Sequence, residues 1–171
     1  RMSAEQAKSK TYKATYVVVG AGSAGCVLAN RLSADPSNHV IVLEAGGWDS
    51  TPWIHVPVGY FRTMHNPKYD WCYDTESDPG LAGRSISWPR GKVVGGSSSL
   101  NGLLYVRGQA QDYDRWAQMG NKGWGWDDIL PLFKRLENFE RGSDDVRGQG
   151  GELNVSDMTV SRDICDAWIE A

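Results

Sequence analysis

The chain has 171 residues, 40% of them apolar and 23% charged, with 18 Lys and Arg against 21 Asp and Glu for a formal charge of −3. That balance is globular: it excludes a disordered polyampholyte and a coiled coil, and it offers no basic field for nucleic acid. Three widely spaced cysteines (Cys26, Cys72, Cys165) make neither a disulfide framework nor a metal site and favour a reducing, cytoplasmic setting.

Residues Arg1 to Thr15 are polar, carry Lys8, Lys10 and Lys13, and lack an apolar h-region, so they read as a solvated, disordered tail and not as a secretory signal. Order is expected from Tyr16 onward. Tyr16-Val17-Val18-Val19 is a β-branched run that stops at Gly20 and reads as a buried strand. Ala24, Val27, Leu28 and Leu32 then recur at helical spacing from Ser23 to Leu32. After the turn Asp35-Pro36-Ser37-Asn38, Val40-Ile41-Val42-Leu43 reads as a second buried strand. Strand, helix and strand within about thirty residues define a βαβ unit with parallel strands.

Gly46 to Pro89 is expected to be irregular, with five prolines spread through it and aromatics gathered between Trp53 and Tyr73; long loops of that kind are usually functional. Two helices follow. Ala110, Tyr113, Trp116 and Ala117 share the face of one that stops at Gly120, and Ile129, Leu132, Phe133 and Leu136 form the stripe of the next. Asp127 and Asp128 suit the positive end of that second helix, with Pro131 expected in or near its first turn. A last helix begins at Ser161 with Ile164 and Trp168 on one side and has no stop signal before Ala171. The uncharged stretch from Val93 to Val106 is too short to span a bilayer.

Two motifs carry chemistry. Gly20-Ala21-Gly22-Ser23-Ala24-Gly25 follows a strand and opens a helix. In such a turn the first glycine permits the bend, the second admits a pyrophosphate to the backbone, and the third lets helix and strand pack closely. The helix start supplies unpaired N–H groups and a favourable dipole for phosphate. Glu44 ends the second strand, at the place of a carboxylate that accepts hydrogen bonds from an adenosine ribose. The second motif is Gly91-Lys92-Val93-Val94-Gly95-Gly96-Ser97-Ser98-Ser99-Leu100-Asn101-Gly102-Leu103-Leu104-Tyr105-Val106-Arg107-Gly108. Its uncharged centre, rich in small hydroxyl and amide groups, suits close passage of a flat, polar-edged ring. Ser97 to Ser99 read equally as an ordinary turn, and Arg90, Lys92 and Arg107 flank the motif facing phosphate or solvent.

Together the two motifs resemble the N-terminal portion of the glucose–methanol–choline (GMC) family of FAD-dependent oxidoreductases. The second fits that family's first signature through Asn101, Tyr105, Gly108 and Asp114, and Gly123-Trp124-Gly125-Trp126-Asp127-Asp128 is also similar to family members. Trp53 to Gly59 and Trp88 to Gly91 most resemble bacterial alcohol and choline dehydrogenase types. The likeness covers Tyr16 to Ala171 and implies an α/β fold: the Rossmann-like FAD-binding βαβ unit of a GMC flavoprotein, incomplete in this chain.

The resemblance implies that Gly20, Gly22, Ser23, Ala24 and Gly25 hold the FAD pyrophosphate and Glu44 the adenosine ribose. It places Val93 and Ser97 along the flavin cleft, Asn101, Gly102, Leu103 and Leu104 beside the isoalloxazine, and Trp71 near the cofactor. Some choline-type members attach FAD through a histidine just before the Asn; Leu100 stands there and has no nucleophilic nitrogen, so attachment at this point is ruled out. The implied activity is oxidation of an alcohol by hydride transfer to non-covalent flavin. The same fold also serves flavoprotein lyases and photodecarboxylases, and an inert FAD-binding fragment is a third reading. His39, His55 and His65 are expected to be structural, leaving no catalytic residue and no metal ligand in the chain. The catalytic histidine, the substrate pocket and the remaining strands are therefore expected in a C-terminal part, on this polypeptide or on a second one. A small alcohol is the expected substrate. No transmembrane segment is expected, leaving room for peripheral contact with an inner membrane.

Overall fold

A computed structural model describes residues 11–158 and 162–171. The chain divides into two compact units, one ending at Leu104 and the other running over Tyr105–Ala171.

The first unit is built on strand β1 (Tyr16–Val19), helix α1 (Ser23–Ser33) and strand β2 (Val40–Leu43). The strands pair in parallel from Tyr16 opposite Val40 to Val19 opposite Leu43, the geometry a βαβ crossover requires. Thr15 extends the pairing: its N–H donates to the His39 carbonyl at 2.8 Å and its hydroxyl accepts from the His39 N–H at 3.1 Å. The rest of the expected tail, Arg1 to Lys10, lies outside the described residues. Helix α1 packs so tightly on the end of β1 that a Cβ on Gly25 would stand 1.9 Å from the Gly20 carbonyl oxygen.

The strands depart from expectation in burial. Only Val18 of their eight residues is buried; Val17 is 56% and Val19 83% exposed. Among the described residues these two strands form a sheet of their own, so the opposite face of β1 has no layer against it.

The segment expected to be irregular is assembled from short pieces. Helices α2 (Pro52–His55) and α3 (Tyr60–Thr63) flank a 3-10 turn at Pro57–Gly59. Strands β3 (Tyr73–Asp74) and β4 (Ser87–Trp88) then pair antiparallel. That ribbon keeps one register into the Asp70–Gly91 bridge, where Trp71 N–H donates to the Arg90 carbonyl at 2.9 Å and Lys92 N–H to the Tyr69 carbonyl at 2.6 Å.

The second unit holds helices α4 (Ala110–Gln118) and α5 (Trp126–Leu136), strands β5 (Glu137–Phe139) and β6 (Leu153–Val155) in parallel, and helix α6 (Asp163–Glu170). Tyr113 joins the two expected helices, its ring 5.5–5.8 Å from Trp116, Trp126 and Phe133. Asp112 caps α4 by accepting from the Gln109 N–H at 2.9 Å. Pro131 corrects the sequence reading. Helix α5 starts at Trp126, so Pro131 falls in its second turn, where it removes an internal hydrogen bond. Leu132 of the expected stripe is exposed, as are Ile164 and Trp168 on α6. The expected start of that last helix, Ser161, lies outside the described residues.

The unit is fastened by a buried carboxylate that nothing in the sequence announces. Glu137 is wholly buried and accepts from Arg107 Nη2 at 2.5 Å, Arg147 Nη1 at 2.8 Å and the Gly148 N–H at 2.8 Å.

Candidate functional site

The two motifs meet in the first unit. The second folds as a tight 3-10 turn, Gly96–Ser99, laid against the glycine loop that joins β1 to α1. Gly95 N–H donates to the Ala21 carbonyl at 2.7 Å, and Ser23 Oγ lies 3.4 Å from Ser98 Oγ. Backbone touches backbone here. Gly96 has φ +59°, and a Cβ on it would stand 2.7 Å from Gly22 Cα, so no other residue fits without displacing one motif from the other.

Beside this contact opens a cleft of about 620 Å³, lined by the glycine loop, the carboxyl end of β2, Trp71, Tyr73, Arg90, Gly91, Gly96 and Ser97. Ligands in open α/β sheets bind at this end of the strands. Helix α1 begins in the cleft, and its N-cap, Gly22, has no side chain to satisfy the first N–H groups. Gly22 also explains itself poorly by packing: a Cβ there would meet nothing closer than Gly96 Cα at 3.9 Å. The protein's own atoms do not demand bare backbone at that position. A phosphate drawn against the helix start would.

Glu44 lies in the cleft with both oxygens already engaged. Oε2 accepts from the Ala21 N–H and Oε1 from the Gly46 N–H, each at 2.8 Å. The carboxylate thus clamps the glycine loop to the end of β2. A carboxylate has about four acceptor positions, so capacity for ribose hydroxyls is left. Ser97 is similarly committed: its hydroxyl accepts from the Gly91 N–H at 3.1 Å. Ser98 Oγ and Ser99 Oγ donate to the Gly95 and Val94 carbonyls at 2.5 and 2.9 Å, which is the turn reading of these serines.

The opposite wall is aromatic. Trp71 and Tyr73 stack at 5.8 Å with 5° between their planes, and Lys92 Nζ sits 4.8 Å over Trp71. Behind it Asp70 is 1% exposed and accepts from three backbone N–H groups: His65 at 2.7 Å, and Cys72 and Arg90 at 2.9 Å each. Burial opposes its ionisation, but the N–H groups of Cys72, Arg90 and His65 outweigh burial and hold its carboxyl below the usual range. Ser87 Oγ is 3.3 Å from His65 Nδ1, yet Asp70 binds the His65 backbone and not the ring. The three residues do not form a proton relay.

The cleft therefore brings together Gly20, Gly22, Ser23, Ala24, Gly25, Glu44, Trp71 and Ser97 of the residues expected from sequence. It does not bring in Val93, Asn101, Gly102, Leu103 or Leu104. Val93 is wholly buried, its backbone bridged in parallel to Gly47. Asn101 to Leu104 follow the turn as exposed irregular chain, with Leu103 at φ +61° and Asn101 Oδ1 accepting from its N–H at 2.9 Å. Leu100 is buried. Sequence reading passed over Leu43, Ala45, Tyr73 and Gly96. The strand-end position marks the first two, and period-two spacing from Trp71 marks Tyr73. None of His39, His55 and His65 lines the cleft. Among the described residues no cluster of three metal-ligating side chains occurs, and no helix is long and apolar enough to cross a membrane.

A glycine-capped helix start, a strand-end carboxylate and a second glycine turn are the parts of a dinucleotide-binding βαβ cleft. Residues 14–171 match the family model described as GMC oxidoreductase, and the chain belongs to that family. It is 49% identical over 159 residues to an oxygen-dependent choline dehydrogenase of Sinorhizobium fredii, covering 93% of this chain and 29% of the relative. An alcohol dehydrogenase (acceptor) of Pseudomonas putida is 46% identical over 157 residues, covering 91% and 28%. Among solved structures, pyridoxine 4-oxidase from Mesorbium loti superposes with a TM-score of 0.76 at 42% identity, covering 81% of this chain and 27% of that one. The chain thus spans under a third of the length of the curated relatives it matches. Family membership bears out the fold class and FAD as cofactor.

Proposed function

We propose that this chain is the FAD-holding part of an enzyme that oxidises the CH–OH group of a small alcohol, choline-like or simple. The observation that carries this reading is the uncapped start of α1 at Gly22, opening on a cleft whose other walls are a carboxylate and an aromatic pair. The N–H groups at Ser23, Ala24 and Gly25 would hold the pyrophosphate, and the free acceptor positions of Glu44 the ribose hydroxyls. Trp71 and Tyr73 offer an apolar face to a flat ring. Val93, Asn101, Gly102, Leu103 and Leu104 are assigned to the flavin side by family resemblance. When bound, FAD supplies the hydride acceptor. With no histidine in the cleft, the base that takes the hydroxyl proton is assigned outside these residues. The names of the relatives support an alcohol substrate.

The test uses the full-length protein. Denaturation should release free flavin, and anaerobic addition of choline or of aliphatic or aromatic alcohols should bleach the visible flavin absorbance for at least one of them. Bound flavin that no alcohol bleaches would leave the cofactor and sink the reaction. A folded preparation without flavin would sink both.

A further inference from the structure

We propose that Asp70 is the positioning residue of the flavin cleft, a buried carboxylate that sets the aromatic wall before any cofactor arrives. The proposal rests on reading the cleft as the FAD site.

The ribbon that carries the wall is faulty as a ladder. Between the Asp70–Gly91 bridge and the β3–β4 pairs stand Cys72, with φ +52°, and Pro89, which has no N–H. Cys72 and Pro89 oppose each other as a non-hydrogen-bonded pair, so neither would bond across the ladder, and the left-handed φ of Cys72 breaks the extended run beside Trp71. In a regular antiparallel pair Arg90 would also return a bond to Trp71, matching the one from Trp71 N–H to the Arg90 carbonyl. Its N–H goes instead to Asp70 Oδ1, together with that of Cys72. Asp70 Oδ2 takes the N–H of His65, another left-handed residue, at the end of α3. One side chain thus satisfies three donors from three segments at the point where backbone pairing fails.

Two of those donors flank the wall. Cys72 lies between Trp71 and Tyr73, which line the cleft, and Arg90 and Gly91 line it from the paired strand. Their backbone directions, and so the placement of the stacked rings, depend on a group that itself lies outside the cleft lining. A buried carboxylate left without donors is costly, so the ribbon has a strong reason to keep this geometry in the empty protein.

The experiment compares Asp70→Asn with Asp78→Asn in the full-length protein. Asp78 also accepts from a loop N–H, that of Gly80 at 2.7 Å, but in the connection between β3 and β4, outside the cleft lining. The readouts are FAD affinity of the stripped protein, visible circular dichroism of the bound flavin, and melting of the stripped protein. In Asp70→Asn one amide N–H₂ must face a backbone donor. FAD should bind about tenfold more weakly, the loss of roughly one hydrogen bond, and the flavin dichroism should change shape. Asp78→Asn should change neither. Unaltered affinity and dichroism in Asp70→Asn, or equal changes in both variants, overturn the proposal. Should Asp70→Asn fail to fold, hydrogen exchange on the wild type decides. The His65, Cys72 and Arg90 amides should be protected without FAD, and protection that appears only when FAD is added overturns the proposal. Wild-type protein that takes up no FAD overturns the underlying reading instead, and this one with it.

Discussion

Replacing Glu44 separates two roles that a ribose-binding carboxylate would not ordinarily combine. The side chain accepts from the Ala21 and Gly46 N–H groups at 2.8 Å while lining the cleft. Hydrogen bonds to a charged group are worth about 1.5–3 kcal/mol each. Glu44 is half-buried, and water can take over part of what is lost, so the two together are worth about 2 kcal/mol in the empty protein. Glu44→Ala should therefore lower the unfolding free energy of FAD-stripped protein by about that amount in urea titrations. Two ribose bonds would add about 1.5–3 kcal/mol each to the loss of FAD affinity, at least a hundredfold in Kd. Glu44→Gln keeps one acceptor but sets its amide against the other donor, so it should fall between wild type and alanine on both measures. A residue serving only the ribose would leave the stripped protein unchanged; one serving only the loop would change FAD affinity little. Stripped Glu44→Ala protein with an unaltered unfolding midpoint would refute the clamp outright.

Two further substitutions test the frame around the site. Glu137→Gln should destabilise the full-length protein by about 3–5 kcal/mol, because Arg107 and Arg147 lose their buried counter-charge; a loss under about 1 kcal/mol in denaturant titration would show that the guanidinium groups find other partners. Gly96→Ala should cut FAD uptake far more than Gly123→Ala. Both glycines have positive φ, but a Cβ at Gly96 meets Gly22 Cα at 2.7 Å, whereas at Gly123 it meets nothing within 4 Å. Equal uptake by the two variants would mean that the contact between the motifs does not shape the cleft.

What was legible in the sequence follows the range of the forces involved. β1 and β2 begin and end where their β-branched runs do, and α1 starts at Ser23, because strand pattern, glycine turn and helical spacing change at the same residues. The glycine loop and Glu44 converge for the same reason: the βαβ connection alone carries the end of β2 to the turn after β1. The β3–β4 and β5–β6 ladders are only two or three residues long and establish no period. Pro131 was misplaced because the apolar stripe begins at Ile129, three residues after the helix does. Asp70 and Glu137 were invisible for a different reason. Their partners are backbone N–H groups or arginines up to thirty residues away, and neither leaves a mark on local composition.

The burial of the first sheet shows where sequence pattern and described structure part. Val17, Val18 and Val19 with Ile41, Val42 and Leu43 form an unbroken apolar pair of strands, the pattern of parallel strands covered on both faces. Helix α1 supplies one cover: Val18 is buried, and a Cβ on Gly25 would touch its Cγ1 at 3.4 Å. Val17 and Val19 point to the other face by the two-residue alternation of a strand, and both are exposed. Burying a valine fully is worth about 1.5 kcal/mol or more, so these residues gain most of their stabilisation only when a second layer lies on them. Ile164, Trp168 and Ile169 on α6, each about four-fifths exposed, are in the same position in the second unit. Such faces suit a chain that spans 29% of a relative's length: its apolar pattern calls for more cover than its own described residues provide.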